Sequence, residues 1–258
     1  MTACRILSAL LVIGLAGARV ARADAPYVVL DSGRQISGVS VSVDEDGRVQ
    51  LRTDKGVMTF EKGTRVVTVR PRELDQAIQH MQQRQFSQAV PLLERVAREN
   101  RHLGWDREAL RLLGRAHSSN SRAAASVAAY EQLFAIDPLA RADADDFLRY
   151  LKGLDAAGQQ DKLAGMLDGV IRTAPRAAAA WAQLRRGRLA LEQGEIKAAL
   201  LDVKRTADFF ADQTESHPEA LYLTAVCFQR LSDQRASVYR QRLKTDYPGS
   251  PYVLKSLE

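Results

Sequence analysis

The chain has 258 residues, 46% of them apolar, with 37 basic against 31 acidic side chains and two cysteines. That length accommodates one or two domains with a sizeable core, and two cysteines exclude a fold built on a disulfide framework. The formal charge of +6 at first suggests a polyanionic partner, but its placement along the chain argues otherwise.

The N-terminus has the composition of an export signal. Arg5 precedes an apolar run from Ile6 to Ala18, and Ala21-Arg22-Ala23 offers a small-residue cleavage site before Asp24. The run is shorter than the roughly 20 residues that span a bilayer, so residues 1–23 read as a signal peptide, with a retained amphipathic anchor as the alternative. Cys4 lies before the apolar run, so no lipoprotein cysteine is offered. Removing 1–23 takes away three arginines and no acid, leaving 34 basic against 31 acidic residues. Nucleic-acid binding needs clustered excess charge, so no nucleic-acid partner is expected. The expected mature protein is periplasmic or secreted, with no transmembrane segment. Cys227, its one remaining cysteine, falls on an apolar helical face and reads as a packing residue.

Residues 24–70 have strand character. Tyr27-Val28-Val29-Leu30 precedes an Asp31-Ser32-Gly33 turn, and Ile36 to Val43 alternates, with Val39, Val41 and Val43 on one face. A turn at Asp44-Glu45-Asp46-Gly47 leads to Val49, Leu51 and Thr53, then Lys55-Gly56, Val57 to Phe60, and Val66 to Val69. Five short strands in so few residues predict a small SH3-like β-barrel, with a curled sheet packed on the first helices as the alternative. Pro71 marks the boundary.

Residues 71–258 carry helical periodicity in repeating units. The first has Leu74, Ala77, Ile78 and Met81, then Phe86, Ala89, Val90, Leu93 and Val96. The second is the clearest: Leu110, Leu113, Gly114 and His117 share one face, and Ser126, Tyr130, Leu133 and Phe134 share the next. Gly114 leaves room for a close neighbour, Tyr130 supplies the opposing bulk, and Pro138 ends the unit. Trp105 begins this unit and reads as packing between units. Phe147, Tyr150, Leu151 and Leu154, a turn at Gly158, Leu163, Leu167 and Val170, and Pro175 make the third. Trp181, Leu184 and Leu191, a turn at Gly194, then Ala199, Val203 and Phe210 make the fourth. Ala220, Leu223, Thr224 and Cys227, then Ala236, Leu243 and Pro248 make the fifth, after a polar stretch from Ala211 to Glu215 that could serve as a hinge.

One helical hairpin cannot bury its own apolar face, so the copies must stack. Leu113, Leu151 and Leu223 are expected in a shared core rather than in separate ones. Phe147-x2-Tyr150-Leu151-x2-Leu154, Leu110-x2-Leu113-Gly114-x2-His117 and Ala89-x3-Leu93 resemble the tetratricopeptide repeat (TPR). Ser126-x3-Tyr130 keeps the size of the motif's alanine without its identity. The proline spacings give a period nearer 36 than the usual 34 or so. The expected fold class is therefore α+β: a small N-terminal β module followed by an all-α TPR-like superhelix of about five hairpins.

Chemical constellations are sparse. Gly33-x4-Gly38 lacks the Lys and Ser/Thr of a phosphate loop and sits between strands. His80, His102, His117 and His217 lie in different segments without metal-ligand spacing, and each reads as a satisfied or surface imidazole. Asp143, Asp145 and Asp146 gather at a predicted helix start, where they complement its dipole. No nucleophile elbow occurs, so no catalytic residue, cofactor or metal is assigned.

The resemblance implies that first helices line a concave face that binds an extended or helical partner segment. Here those helices carry Arg111, Arg115, Lys152, Arg185, Arg186 and Arg188. Arg111, Arg115, Lys152, Arg185 and Arg188 are the candidate partner-binding residues of a basic strip suited to an acidic protein or peptide; the alternative is that they only solvate the helices. The leading expectation is an exported, non-catalytic scaffold of the bacterial envelope. The second is an accessory factor of cell-wall or outer-membrane assembly, touching peptidoglycan through the β module. The tail Tyr247-Pro248-Gly249-Ser250-Pro251-Tyr252 resembles junctions of envelope TPR proteins. A third, a hydrolase with a site between the two parts, has no motif behind it.

Overall fold

A computed structural model describes residues 25–255. The signal-peptide reading of 1–23 therefore lies outside the described residues. The chain forms two compact units that divide between Val69 and Arg70.

The smaller unit has six strands: β1 (Tyr27–Val29), β2 (Gln35–Ser37), β3 (Ser40–Val43), β4 (Val49–Thr53), β5 (Gly56–Phe60) and β6 (Arg65–Val67). They make two three-stranded antiparallel sheets, ordered β2-β1-β6 and β3-β4-β5. The expected closed SH3-like barrel is not formed among the described residues. The cause lies at Gly38, where the alternating run Ile36–Val43 breaks. Gly38 donates its N–H to the Pro26 carbonyl at 2.9 Å, while Val39 donates to the Arg52 carbonyl at 2.6 Å, so the chain leaves one sheet and joins the other within two residues. A Cβ at Gly38 would lie 2.5 Å from the Leu51 side chain and 2.6 Å from the Arg52 carbonyl, so only glycine permits this approach. Val39 consequently points outward, 64% exposed, whereas Val28, Val49 and Leu51 form the buried centre.

The larger unit has eleven α-helices among the described residues: α1 (Arg72–Gln82), α2 (Phe86–Glu99), α3 (Trp105–Ser119), α4 (Ala123–Ile136), α5 (Ala144–Ala156), α6 (Gln160–Thr173), α7 (Arg176–Glu192), α8 (Ile196–Phe209), α9 (His217–Arg230), α10 (Ala236–Asp246) and the short α11 (Pro251–Lys255). A 3-10 turn over Pro138–Ala142 separates α4 from α5. The first ten helices pair as five hairpins. Each second helix also packs on the next first helix, and successive first helices touch one another.

The hairpin turns share one construction. Arg84, Ser121, Gly158, Gly194 and Ser232 each adopt positive φ, between 54° and 80°, two residues past the end of the first helix. The next residue, Gln85, Arg122, Gln159, Glu195 or Asp233, donates its N–H to the carbonyl five positions back, at 2.8–3.0 Å. This 6→1 bond is the Schellman closure of a helix C-terminus. The turn positions recur every 36 to 38 residues, and so set the period of the array.

Packing inside the hairpins follows the small-against-large rule read at Gly114. A Cβ there would lie 2.7 Å from the Tyr130 ring, and at Gly187 the same distance from Val203. Ser126, at the place of the motif's alanine, is fully buried and donates its hydroxyl to the Gly114 carbonyl at 2.8 Å. The shared core expected for Leu113, Leu151 and Leu223 is not found: the core is segmented, and they fall in three successive clusters. A stack whose units touch only their neighbours produces such segments. Ala97 packs against the first two clusters, and α7 places Ala182 in the second and Leu184 in the third. Trp105 packs partly buried on the first cluster, as expected of an inter-unit residue, with the Arg70 guanidinium carbon 5.3 Å from its ring centroid.

Candidate functional site: the face of the first helices

The five basic residues singled out from sequence lie on α3, α5 and α7, and each meets a carboxylate from another segment of the array. Arg111 and Arg115, one turn apart on α3, converge on Asp146 of α5. Their Nε atoms lie 2.9 Å and 2.7 Å from its two carboxylate oxygens; Arg115 donates a hydrogen bond there, whereas Arg111 is held by charge alone, without hydrogen-bond geometry. Asp146 is fully buried, and also accepts the Tyr130 hydroxyl at 3.2 Å. Arg185 of α7 pairs with Asp155 of α5 at 2.9 Å and donates to the Gln160 side chain at 3.0 Å. Lys152 of α5 pairs with Glu215, just before α9, and Arg188 of α7 pairs with Glu219 of α9.

The result is a ladder of ion pairs running α3–α5–α7–α9. It is neither a free basic strip nor simple solvation of each helix by its own charges. Hydrogen bonding to Asp146 raises the Arg115 pKa further above its already high value, so the guanidinium stays charged at any physiological pH. Burial, then the neighbouring Asp146 charge, raises Tyr130 in the same direction, so its phenol stays a donor. Arg111, Arg115, Lys152 and Arg188 remain about one-third exposed, whereas Arg185 is nearly buried. Arg186, on the far side of α7, binds Asp202 and Asp168 instead.

Asp146 is the residue that sequence reading misplaced. Asp143 does cap α5, accepting the Asp146 N–H at 2.9 Å, as an acidic helix start should. The Asp146 side chain, however, turns into the stack rather than toward the dipole. Its signal in the sequence was an i, i+4 arginine pair one hairpin upstream.

The remaining chemistry is structural. His217 is buried with both ring nitrogens engaged, at 2.8 Å from the Tyr247 hydroxyl and 2.9 Å from the Ala207 carbonyl. His117 corrects the expectation of a satisfied or surface imidazole. It is buried, and its Nδ1 has no hydrogen-bond partner among the described residues. Burial lowers its pKa, which keeps the ring neutral. Cys227 is buried, and its thiol pKa is pushed up to about 11 by burial, as suits a packing residue. The tail tyrosines close the last hairpin: Tyr247 meets His217, and Tyr252 stacks on Tyr222 at 5.6 Å. The Ala211–Glu215 stretch is tied down, because Arg176 at the start of α7 holds Asp212 through two hydrogen bonds of 2.7 and 2.8 Å. Among the described residues no cluster of three or more His, Cys, Asp or Glu is arranged to hold a metal, and no helix is long and apolar enough to cross a membrane.

No protein-family model matches the chain, and no curated protein matches it. Solved structures do. A crystal structure of a singly substituted form of a Podosopora anserina putative kinesin light chain, with nearly identical TPR-like repeats, aligns at TM-score 0.50 and 18% identity, covering 67% of this chain and 92% of that one. A second crystal structure of the same protein aligns over the same shares at TM-score 0.48. PilW, a widely conserved type IV pilus biogenesis factor, aligns at TM-score 0.41 and 16% identity, over 72% of this chain and 97% of its own. Identities this low speak to fold alone, and the first of these alignments together with the stacked hairpins shows that this chain carries a TPR-like repeat fold.

Proposed function

We propose that the chain is an exported, non-catalytic scaffold that binds a partner protein across the face of its first helices. The supporting observation is the ion-pair ladder. Arg111, Arg115, Lys152 and Arg188 are each held in place by a carboxylate of the array yet keep about a third of their surface open. A guanidinium already fixed by one carboxylate can offer its remaining N–H groups to a second, on a partner, with little further loss of side-chain freedom. The favoured partner segment is therefore acidic. Arg185, nearly buried, acts by holding Asp155 in place rather than by contact. Export rests on the leader-like run from Ile6 to Ala18.

The test is the triple variant Arg111→Ala, Lys152→Ala, Arg188→Ala, which spares Arg115 so that Asp146 keeps a cation. Capture of partner proteins from a periplasmic extract should fall at least about fivefold, the loss of several charge-assisted contacts, while a circular-dichroism melt shows the variant still folded at the assay temperature. An identical set of captured proteins from variant and parent would end this reading.

A further inference from the structure

We propose a second docking site: a basic cleft between α8 and the α9–α10 turn that takes an acidic segment of a partner protein through one large apolar side chain. This site shares no residue with the ladder and does not depend on the scaffold reading above.

The solvent side of α8 is unusual. Leu201, Arg205 and Phe209 stand at i, i+4 and i+8, so they form one stripe. Leu201 is 63% exposed and Phe209 69%, on a helix whose other face is packed into the third core cluster. Exposed apolar side chains mark an interaction surface where they join an apolar cleft into one patch. Beside the stripe lies a cleft of about 240 Å³ with Phe228 of α9 in its lining, room for one bulky side chain.

Charge decides what fits there. Lys204, Arg205 and Arg235 line the cleft against a single acid, Asp208. Asp208 is already committed: it takes the Lys204 ammonium, the Arg242 guanidinium at 3.3 Å and the Tyr239 hydroxyl at 3.0 Å. Arg235 lies with its guanidinium carbon 4.4 Å from the Phe228 ring centroid and pairs with Asp233. Arg205 has no carboxylate partner among the described residues. Four cations around two acids leave this side of α8 positive, with an unpaired arginine at the lip of an apolar hole. A large apolar side chain flanked by carboxylates answers both features.

Polarity also sets the direction. On the other side of α8, a second cleft against α6 and α7 shares Leu201 and Arg205 but sets Glu195 and Asp202 beside Arg186. That side offers an acidic segment no excess of positive charge, so the segment runs from Arg205 toward Arg235 and α10.

The experiment uses the full chain and a fluorescein-labelled peptide bearing one phenylalanine between glutamates, followed by fluorescence anisotropy. Two further peptides replace the phenylalanine by alanine or the glutamates by glutamine. The parent peptide should bind saturably, and each change in the peptide, like Arg205→Glu or Phe209→Ser in the protein, should weaken it at least about tenfold, as expected for losing a charge-assisted or anchor contact. Both substituted side chains are exposed, so the fold should survive, and a melt confirms it. No binding of the parent peptide, or binding indifferent to Arg205→Glu, overturns the proposal. So does a dimer in sedimentation that Phe209→Ser dissolves, because the cleft would then be filled by a second copy of this chain.

Discussion

Replacing Gly114 by alanine would set a methyl carbon 2.7 Å from the Tyr130 ring, closer than a carbon atom can stand. Either α3 and α4 separate or the ring leaves its place, and overpacking of this kind costs about 1–3 kcal/mol. Tyr130→Leu alone also costs stability, since it empties volume and removes a donor from buried Asp146. Combined, the two changes relieve one another, so the double variant should lose less in a urea melt than the two single losses together. His117 offers a second test at this scale. Its folded pKa is depressed by burial, with Glu94 opposing and Arg122 reinforcing the shift. Below the unfolded pKa of about 6.5 the unfolded chain takes up a proton that the folded chain refuses. This contribution to stability is therefore full above that pH and declines as pH falls toward the folded pKa. Parent and His117→Gln melts compared between neutral pH and pH 5 should show a smaller loss on acidification in the variant.

Between elements, the Asp146 rung ties hairpin two to hairpin three, and it predicts strong non-additivity. Arg111→Ala alone should cost little, under about 1 kcal/mol, because the pair is partly exposed and Asp146 keeps Arg115. Removing both arginines strands a fully buried carboxylate, for which about 3–5 kcal/mol is the usual loss, read in the same urea melts. The turns make a different prediction. Ser232 holds φ at 55°, which costs a side-chain-bearing residue about 1 kcal/mol or more. Ser232→Gly should therefore raise the melting midpoint, whereas Gly158→Ala should lower it. These turns also show where the sequence was legible. Gly158 and Gly194 announced their hairpins, but Arg84, Ser121 and Ser232 occupy the same left-handed position with no residue signature. Helical periodicity and the Gly114–Tyr130 contact could be read because they obey local spacing. The Asp146 rung was only hinted at by the Arg111–Arg115 spacing, since its partners lie 31 and 35 positions away on another helix, and the acids around it already had a local explanation. The break at Gly38 was masked differently: Val39, Val41 and Val43 alternate cleanly after it, and only Ile36, out of phase with them, marks the change of sheet.

At the scale of the whole molecule, the three core clusters of the larger unit imply that damage should stay local. A globular core spreads the loss of one side chain over every element packed on it. In a stack, each hairpin is stabilised by itself and by two interfaces, so a defect weakens the nearest segment first. Leu221 is fully buried in the last cluster, together with Val203, Phe228 and Leu243. Leu221→Ala should remove about 2–5 kcal/mol there. α7 is the joint that limits its reach, because Ala178 and Ala182 belong to the middle cluster while Leu184 belongs to the last. The ladder crosses that joint through Arg188 to Glu219 and Lys152 to Glu215, both partly exposed and so weakly coupling. Native-state hydrogen exchange on the variant should accordingly show amides of α8, α9 and α10 losing protection while those of α2 to α5 keep theirs. Equal loss along all ten helices would mean that the larger unit unfolds as a single cooperative body, and the segmented description of its core would have to be given up.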